Sequence, residues 1–272
     1  MPNFRLTLAY DGTDFCGSQV QPKQRTVQGE LERVLGRIAG APVRATFGGR
    51  TDRGVHAVGQ IAVIGLPAWR NGATALQRAL NASLPRDLAA TGVDECQESF
   101  NPRFDATWRA YRYWVAPAVT SPFLGRVAWT PRADIDAEAV AAGARWFVGT
   151  HDFATFAGGG EGVPWSDRAH RPRGTTRTVY FCECRELSVR PGPSLDRLDR
   201  VVEIGVTADA FLPRMVRNIV GSLVEVGQGR QSPEWIGELL SRRDRRYGST
   251  LAPPHGLTLH RIGFAGDPLV GW

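Results

Sequence analysis

Apolar positions recur along this chain in two periods. From Phe4 to Tyr10 they alternate, at Phe4, Leu6, Leu8 and Tyr10, which predicts a strand with one buried face. A Gly- and Asp-rich stretch breaks the pattern, and Thr26 then stands where an N-cap would. Val27, Leu31, Val34, Leu35 and Ile38 follow on one helical stripe. Strands are predicted near Val43 to Phe47 and from Val58 to Ile64, a helix over Ala73 to Ala82, and a strand from Leu88 to Cys96.

The order then repeats. Thr107 to Val115 alternates, with Arg109, Tyr111 and Tyr113 on one face and Trp108, Ala110, Arg112 and Trp114 on the other. A helix is expected near Asp136 to Phe147, strands over Thr176 to Val189 and Arg200 to Thr207, and a helix from Phe211 to Val226. Ser232 and Pro233 open a short helix, and Leu257 to Phe264 is the last strand. The fold class is therefore α+β. Two ferredoxin-like β-α-β-β-α-β halves with antiparallel sheets, residues 1–105 and 106–272, are expected to join around a central cleft. Ala157 to Gly174, with Arg168, His170, Arg171 and Arg173, and Arg190 to Arg200 interrupt this plan as turn-rich excursions. The first is either an arm for a phosphate backbone or a solvated loop.

Composition narrows the classes. At 272 residues and 42% hydrophobic the chain is long and apolar enough for a sizeable core. No apolar run approaches bilayer length and Met1 to Leu6 enters a strand pattern directly, so a cytoplasmic protein with no membrane partner is expected. Cys16, Cys96, Cys182 and Cys184 form no CxxC pair and read as reduced thiols; His255 and His260 lack companions for zinc. The net charge is +6 and Lys23 is the only lysine. Arginine presents a planar fork to phosphate oxygens and a face to bases, so the balance favours a polyanionic partner, although genome base composition also enriches arginine.

Candidate chemistry concentrates in Phe47 to Gln60, FGGRTDRGVHAVGQ. Its glycines permit a tight turn that presses against a ligand, and Asp52 lies between Arg50 and Arg53. Neighbouring cations favour the charged form of an acid, which predicts a carboxylate able to attack an electrophilic carbon. Taken alone, the same residues describe a surface turn with a local ion pair. Tyr111, in RAYRY, offers a ring to stack on an extruded base, though a tyrosine in an alternating strand is also ordinary core. Phe211 to Gly227 is apolar nearly all round, so Arg217 within it needs a partner, and Asp52 is the natural one; a structural bridge to another acid is the alternative.

The string GRTDRGVHA resembles the nucleophile motif of tRNA pseudouridine synthases of the TruA type, G-R-T-D-x-G-V-H-A, at every fixed position. YDGTDFCGSQ, the R-x-Y-x-Y segment at Tyr111, HDFATF, FLPRMVRNIVG and APPHGLTL resemble further motifs of that family, so the resemblance runs through essentially the whole chain. Departures lie at Asp209, Pro213 and Pro254 and in the length of Ala157 to Gly174. The resemblance implies the pseudouridine synthase fold and an isomerase of the anticodon arm of tRNA, acting on its 3′ side as a homodimer without cofactor or metal. It makes Asp52 the nucleophile and Arg217 its ion partner, sets Arg50 to fill the gap left by the flipped base, and gives Tyr111 that base to receive. Attack at C6 of the ring, attack at C1′ of the sugar, and prior expulsion of the base all stay open. Two other classes compete: a non-catalytic RNA-binding protein, in which GGRTDRG grips phosphates and Asp52 has no task, and a metal-dependent hydrolase, which needs further carboxylates converging on Asp52.

Overall fold

A computed structural model of the chain describes residues 3–117, 121–158, 174–190 and 198–271. The chain divides into two compact units: Met1–Thr107 with Thr258–Pro268, and Trp108–Leu257 with Leu269–Trp272.

The first unit runs β1 (Asn3–Tyr10), α1 (Val27–Ala39), β2 (Ala45–Phe47), β3 (His56–Gly65), α2 (Gly72–Ser83) and β4 (Leu88–Cys96). Strand β1 lies between β3 and β4, antiparallel to both, and β2 pairs with the other edge of β3. The order β4-β1-β3-β2 is that of a ferredoxin-like half. Alternation in β1 does what its period requires, burying Phe4, Leu6, Leu8 and Tyr10 while the intervening residues stay half-exposed. Thr26 caps α1 by accepting the Gly29 N–H at 3.1 Å, and the helix ends on Gly40 at φ 67°. Val27, Leu31, Val34 and Leu35 of α1 and Leu76 and Leu80 of α2 are fully buried. Burial of each such side chain is worth about 1.5–3 kcal/mol, which makes the two stripes the main adhesive of this unit.

The second unit contains most of β5 (Ala106–Val115), then α3 (Ala137–Ala144), β6 (Gly149–Asp152), β7 (Thr176–Val189), β8 (Asp199–Ala208), α4 (Met215–Gly227) and α5 (Trp235–Arg242). Its strands lie in the order β5-β8-β7-β6, all antiparallel. Asp136 caps α3 with its carboxylate on the Glu138 and Ala139 N–H groups, while its own N–H reaches the Gly227 carbonyl at the end of α4. Glu203 on β8 is buried but satisfied: Trp114 donates to it at 2.7 Å and Arg185 donates twice to its other oxygen. A buried charge without such partners would cost several kcal/mol, about 3–5 by the usual effect of deleting one partner.

The last strand falls at its expected bounds. Strand β9 (Leu257–Phe264) pairs in parallel with β3, Thr258 opposite His56 and Leu259 opposite Ala57, so most of it counts with the first unit. Among the described residues, no helix is long and apolar enough to cross a membrane.

Candidate active site

The loop between β2 and β3 holds Asp52, and its backbone is fixed from several elements. Gly49 donates its N–H to the Gln60 side-chain oxygen at 3.2 Å and receives the Gln60 amide on its carbonyl at 2.9 Å, which closes the base of the loop. Thr51 sits one residue before the acid. Its hydroxyl bonds the Tyr10 hydroxyl at 2.8 Å, its N–H donates to Ser18 Oγ at 2.9 Å, and its carbonyl accepts the Ser18 N–H at 3.0 Å. Val55 then donates back to the Asp52 carbonyl at 3.2 Å, closing the turn. Gly17 makes the contact with Ser18 geometrically accessible, since it has φ 90° and a Cβ there would stand 2.9 Å from the Thr51 carbonyl oxygen.

Thr51 and its supports are buried, whereas Arg50, Asp52 and Arg53 are exposed. The loop thus presents a carboxylate flanked by guanidinium groups on a backbone that cannot easily shift. His56, where β3 begins, is buried, and its Nδ1 accepts the Gly12 N–H at 3.0 Å with Asp11 3.2 Å away. The Asp11 to Ser18 stretch, which periodicity marks as a loop and which falls in the YDGTDFCGSQ motif, is therefore a brace for Asp52.

In the second unit Tyr111 lies on β5 opposite Val206 of β8, 9% exposed, with its ring edge-on to Phe211 at 5.2 Å and 89°. Its neighbour two residues on is wholly core: Tyr113 is 0% exposed and donates to the Pro253 carbonyl at 2.8 Å. Burial pushes the Tyr113 phenol far above its ordinary value, with the Arg217 charge acting against that shift. Arg217, on α4, is half-buried, and its Nε donates to the Ala252 carbonyl at 2.7 Å while the Ala252 N–H returns to the Arg217 carbonyl at 3.2 Å. A cation on a largely apolar helix is thereby given a backbone partner inside its own unit.

The structure places Arg50 with Asp52 on one loop of the first unit, and Tyr111 with Arg217 in the second. Arg168, His170, Arg171 and Arg173 lie outside the described residues. Among the described residues, no group of three or more His, Cys, Asp or Glu is arranged to hold a metal ion. The four cysteines are unbridged, and burial pushes the Cys184 thiol up to about 12. Tyr10, Ser18, Gln60 and His56 are the functional supports that residue-by-residue reading missed. Periodicity gives Tyr10 as a core position of β1 and the YDGTDFCGSQ motif begins on it, but alternation reports which way a side chain points and nothing of what its hydroxyl holds.

Residues 7–105 and 144–265 match the family model described as tRNA pseudouridine synthase. A tRNA pseudouridine synthase A of Thermosipho africanus is 40% identical over 264 residues, covering 97% of this chain and 100% of that one. Relatives of the same name from Chloroflexus aurantiacus and Frankia casuarinae are 40% and 42% identical, covering 100% and 97% of this chain and 92% and 90% of their own.

Proposed function

This chain belongs to the tRNA pseudouridine synthase family, and from that membership we propose that it is an isomerase converting uridine to pseudouridine on the 3′ side of the anticodon arm of tRNA, with Asp52 as nucleophile. The reaction breaks the N1 glycosidic bond and rejoins the same base to the same ribose through C5, so atoms and electrons balance without a co-reactant. The target base is first flipped out of its stack, at a cost of a few kcal/mol, roughly that of unstacking one nucleotide. Arg50 fills the vacated position, Tyr111 receives the base, and Asp52 forms a transient bond to the flipped nucleotide. Arg217 orients the Asp52 carboxylate as its ion partner. The protein works as a homodimer, each tRNA spanning both subunits.

The observation that carries this reading is the contrast within the Asp52 loop: an exposed carboxylate on a backbone pinned by buried Thr51. A nucleophile needs a reachable oxygen whose approach is fixed before the substrate arrives, and preorganisation of that kind is what rigid positioning supplies. A phosphate-gripping turn would need the arginines and gives the acid between them no role.

Purified protein incubated with unmodified tRNA, without added metal or nucleotide, is expected to produce pseudouridine in the anticodon arm. Asp52→Ala is expected to abolish this while tRNA affinity stays within about twofold, because the substitution removes no cation that would meet the phosphates. Pseudouridine formed at the wild-type rate by that variant would refute the assignment, and tRNA bound but never modified by the wild type would favour the RNA-binding alternative.

A further inference from the structure

We propose that Arg245, acting through Asn218, is a positioning residue for Arg217: it locks the segment from Ser249 to Pro253, in which the Ala252 carbonyl accepts from Arg217 Nε and sets the direction of the guanidinium. The inference rests on the role proposed above for Arg217.

This segment is not a slack connection. Its carbonyl groups are taken up in turn, Ser249 by Arg245 Nη2 at 3.1 Å, Ala252 by Arg217 Nε at 2.7 Å and Pro253 by the Tyr113 hydroxyl at 2.8 Å. It lies flush on α4, since a Cβ on Gly221 would collide with the Thr250 carbonyl oxygen, and Ser222 and Ser249 share a hydroxyl contact at 3.0 Å. Arg245 is the tie between this segment and the helix. The same Nη2 that donates to Ser249 donates to Asn218 Oδ1 at 2.8 Å, and Asn218 is the helical neighbour of Arg217.

Asn218 is itself 1% exposed and fully engaged, donating through Nδ2 to the Phe156 carbonyl at 2.6 Å. Arg245 is held in turn by its position after Asp244, whose carboxylate accepts the Arg246 N–H at 2.9 Å and whose own N–H donates to Thr155 Oγ1 at 3.0 Å. One guanidinium therefore fixes both the helix and the segment that crosses it. The Ala252 bond is made through Nε, so it sets the direction of the guanidinium. Loss of Arg245 leaves Arg217 present and charged but lets its Ala252 anchor shift. A displacement of about 1 Å in a positioning group costs up to roughly 100-fold in rate.

A double-mutant cycle on single-turnover pseudouridine formation at saturating tRNA tests this, with Arg245→Ala, Arg217→Lys and the pair together. Arg245→Ala is expected to lower the rate roughly tenfold with tRNA affinity unchanged within about twofold, and to have less than about a twofold effect in the Arg217→Lys background. Arg245→Lys, which keeps a donor and preserves more of the fold, is expected to lose less than Arg245→Ala and to show the same dependence on Arg217. Equal losses in both backgrounds would overturn the positioning role and leave the reading of Arg217 intact. A wild-type rate in Arg217→Lys alone would overturn both.

Discussion

Tyr10 holds its proton because it has nowhere to lose it. Burial pushes its hydroxyl up to about 12, and the bonds from Thr51 and Gln60 pull the other way without cancelling that shift. A folded-state value above the unfolded value of 10.0 fixes the sign: the contribution to stability is complete below pH 10 and is lost as pH rises towards 12, because the unfolded phenol ionises first. Two pH units correspond to roughly 3 kcal/mol, so urea midpoints measured from pH 9 to about 12 are expected to fall steeply and to fall less in Tyr10→Phe. A slope unchanged by that substitution would place the alkaline sensitivity elsewhere, Tyr113 being next. At this scale the sequence was informative about charge and uninformative about support. Asp52 between Arg50 and Arg53 is visible in the string GRTDRG, whereas the tie from Tyr10 to Thr51 spans 41 positions and has no local signature.

Elements with strong local signals stand where periodicity puts them. Strand β4 and strand β7 match their expected bounds, and the Thr26 cap starts α1 as its side chain requires. The departures have identifiable causes. Helix α4 was expected from Phe211 but begins at Met215, because Arg214 sits at φ 60° and Pro213 precedes it, so the approach to the helix is a turn. Helix α3 ends at Ala144, and Arg145–Phe147 tightens into a 3-10 turn. Strand β6 was missed altogether: four partly exposed residues starting on Gly149 carry no alternation, and pairing with β7 alone makes them a strand. The brace from Asp11 to Ser18 belongs to the same class, a loop in sequence and a support in space. Gly17→Ala puts a Cβ against the Thr51 carbonyl at a positive φ, and is expected to cost roughly 1–3 kcal/mol, read as a lower urea midpoint at unchanged slope. Its rate of pseudouridine formation is expected to drop as well, since Thr51 precedes Asp52, the proposed nucleophile.

For the molecule as a whole, charge is the property that composition forecasts best. A net +6 carried almost wholly by arginine predicts association with tRNA governed by release of counterions. The logarithm of the binding constant is expected to fall linearly with the logarithm of salt concentration from about 50 to 200 mM, by one to several orders of magnitude. A flat response in a filter-binding titration would count against phosphate contacts as the main source of affinity. Asp52→Ala is expected to leave the slope of that line unaltered, because it removes no cation. Fold class was legible here because both halves repeat one order of elements. The parallel pairing of β9 with β3 was not, since a partner some two hundred positions upstream leaves no trace in the strand's own residues.

That return of β9 sets a timetable for biosynthesis. Thr258 and Leu259 are needed beside His56 and Ala57, at the exit of the loop that carries Asp52, yet they are synthesised some two hundred residues later. The unit whose synthesis begins first is consequently completed only after residues 108–257 of the other have been made. A nascent chain halted before Thr258 would carry every assigned site residue and still lack the edge that closes the strand beside them.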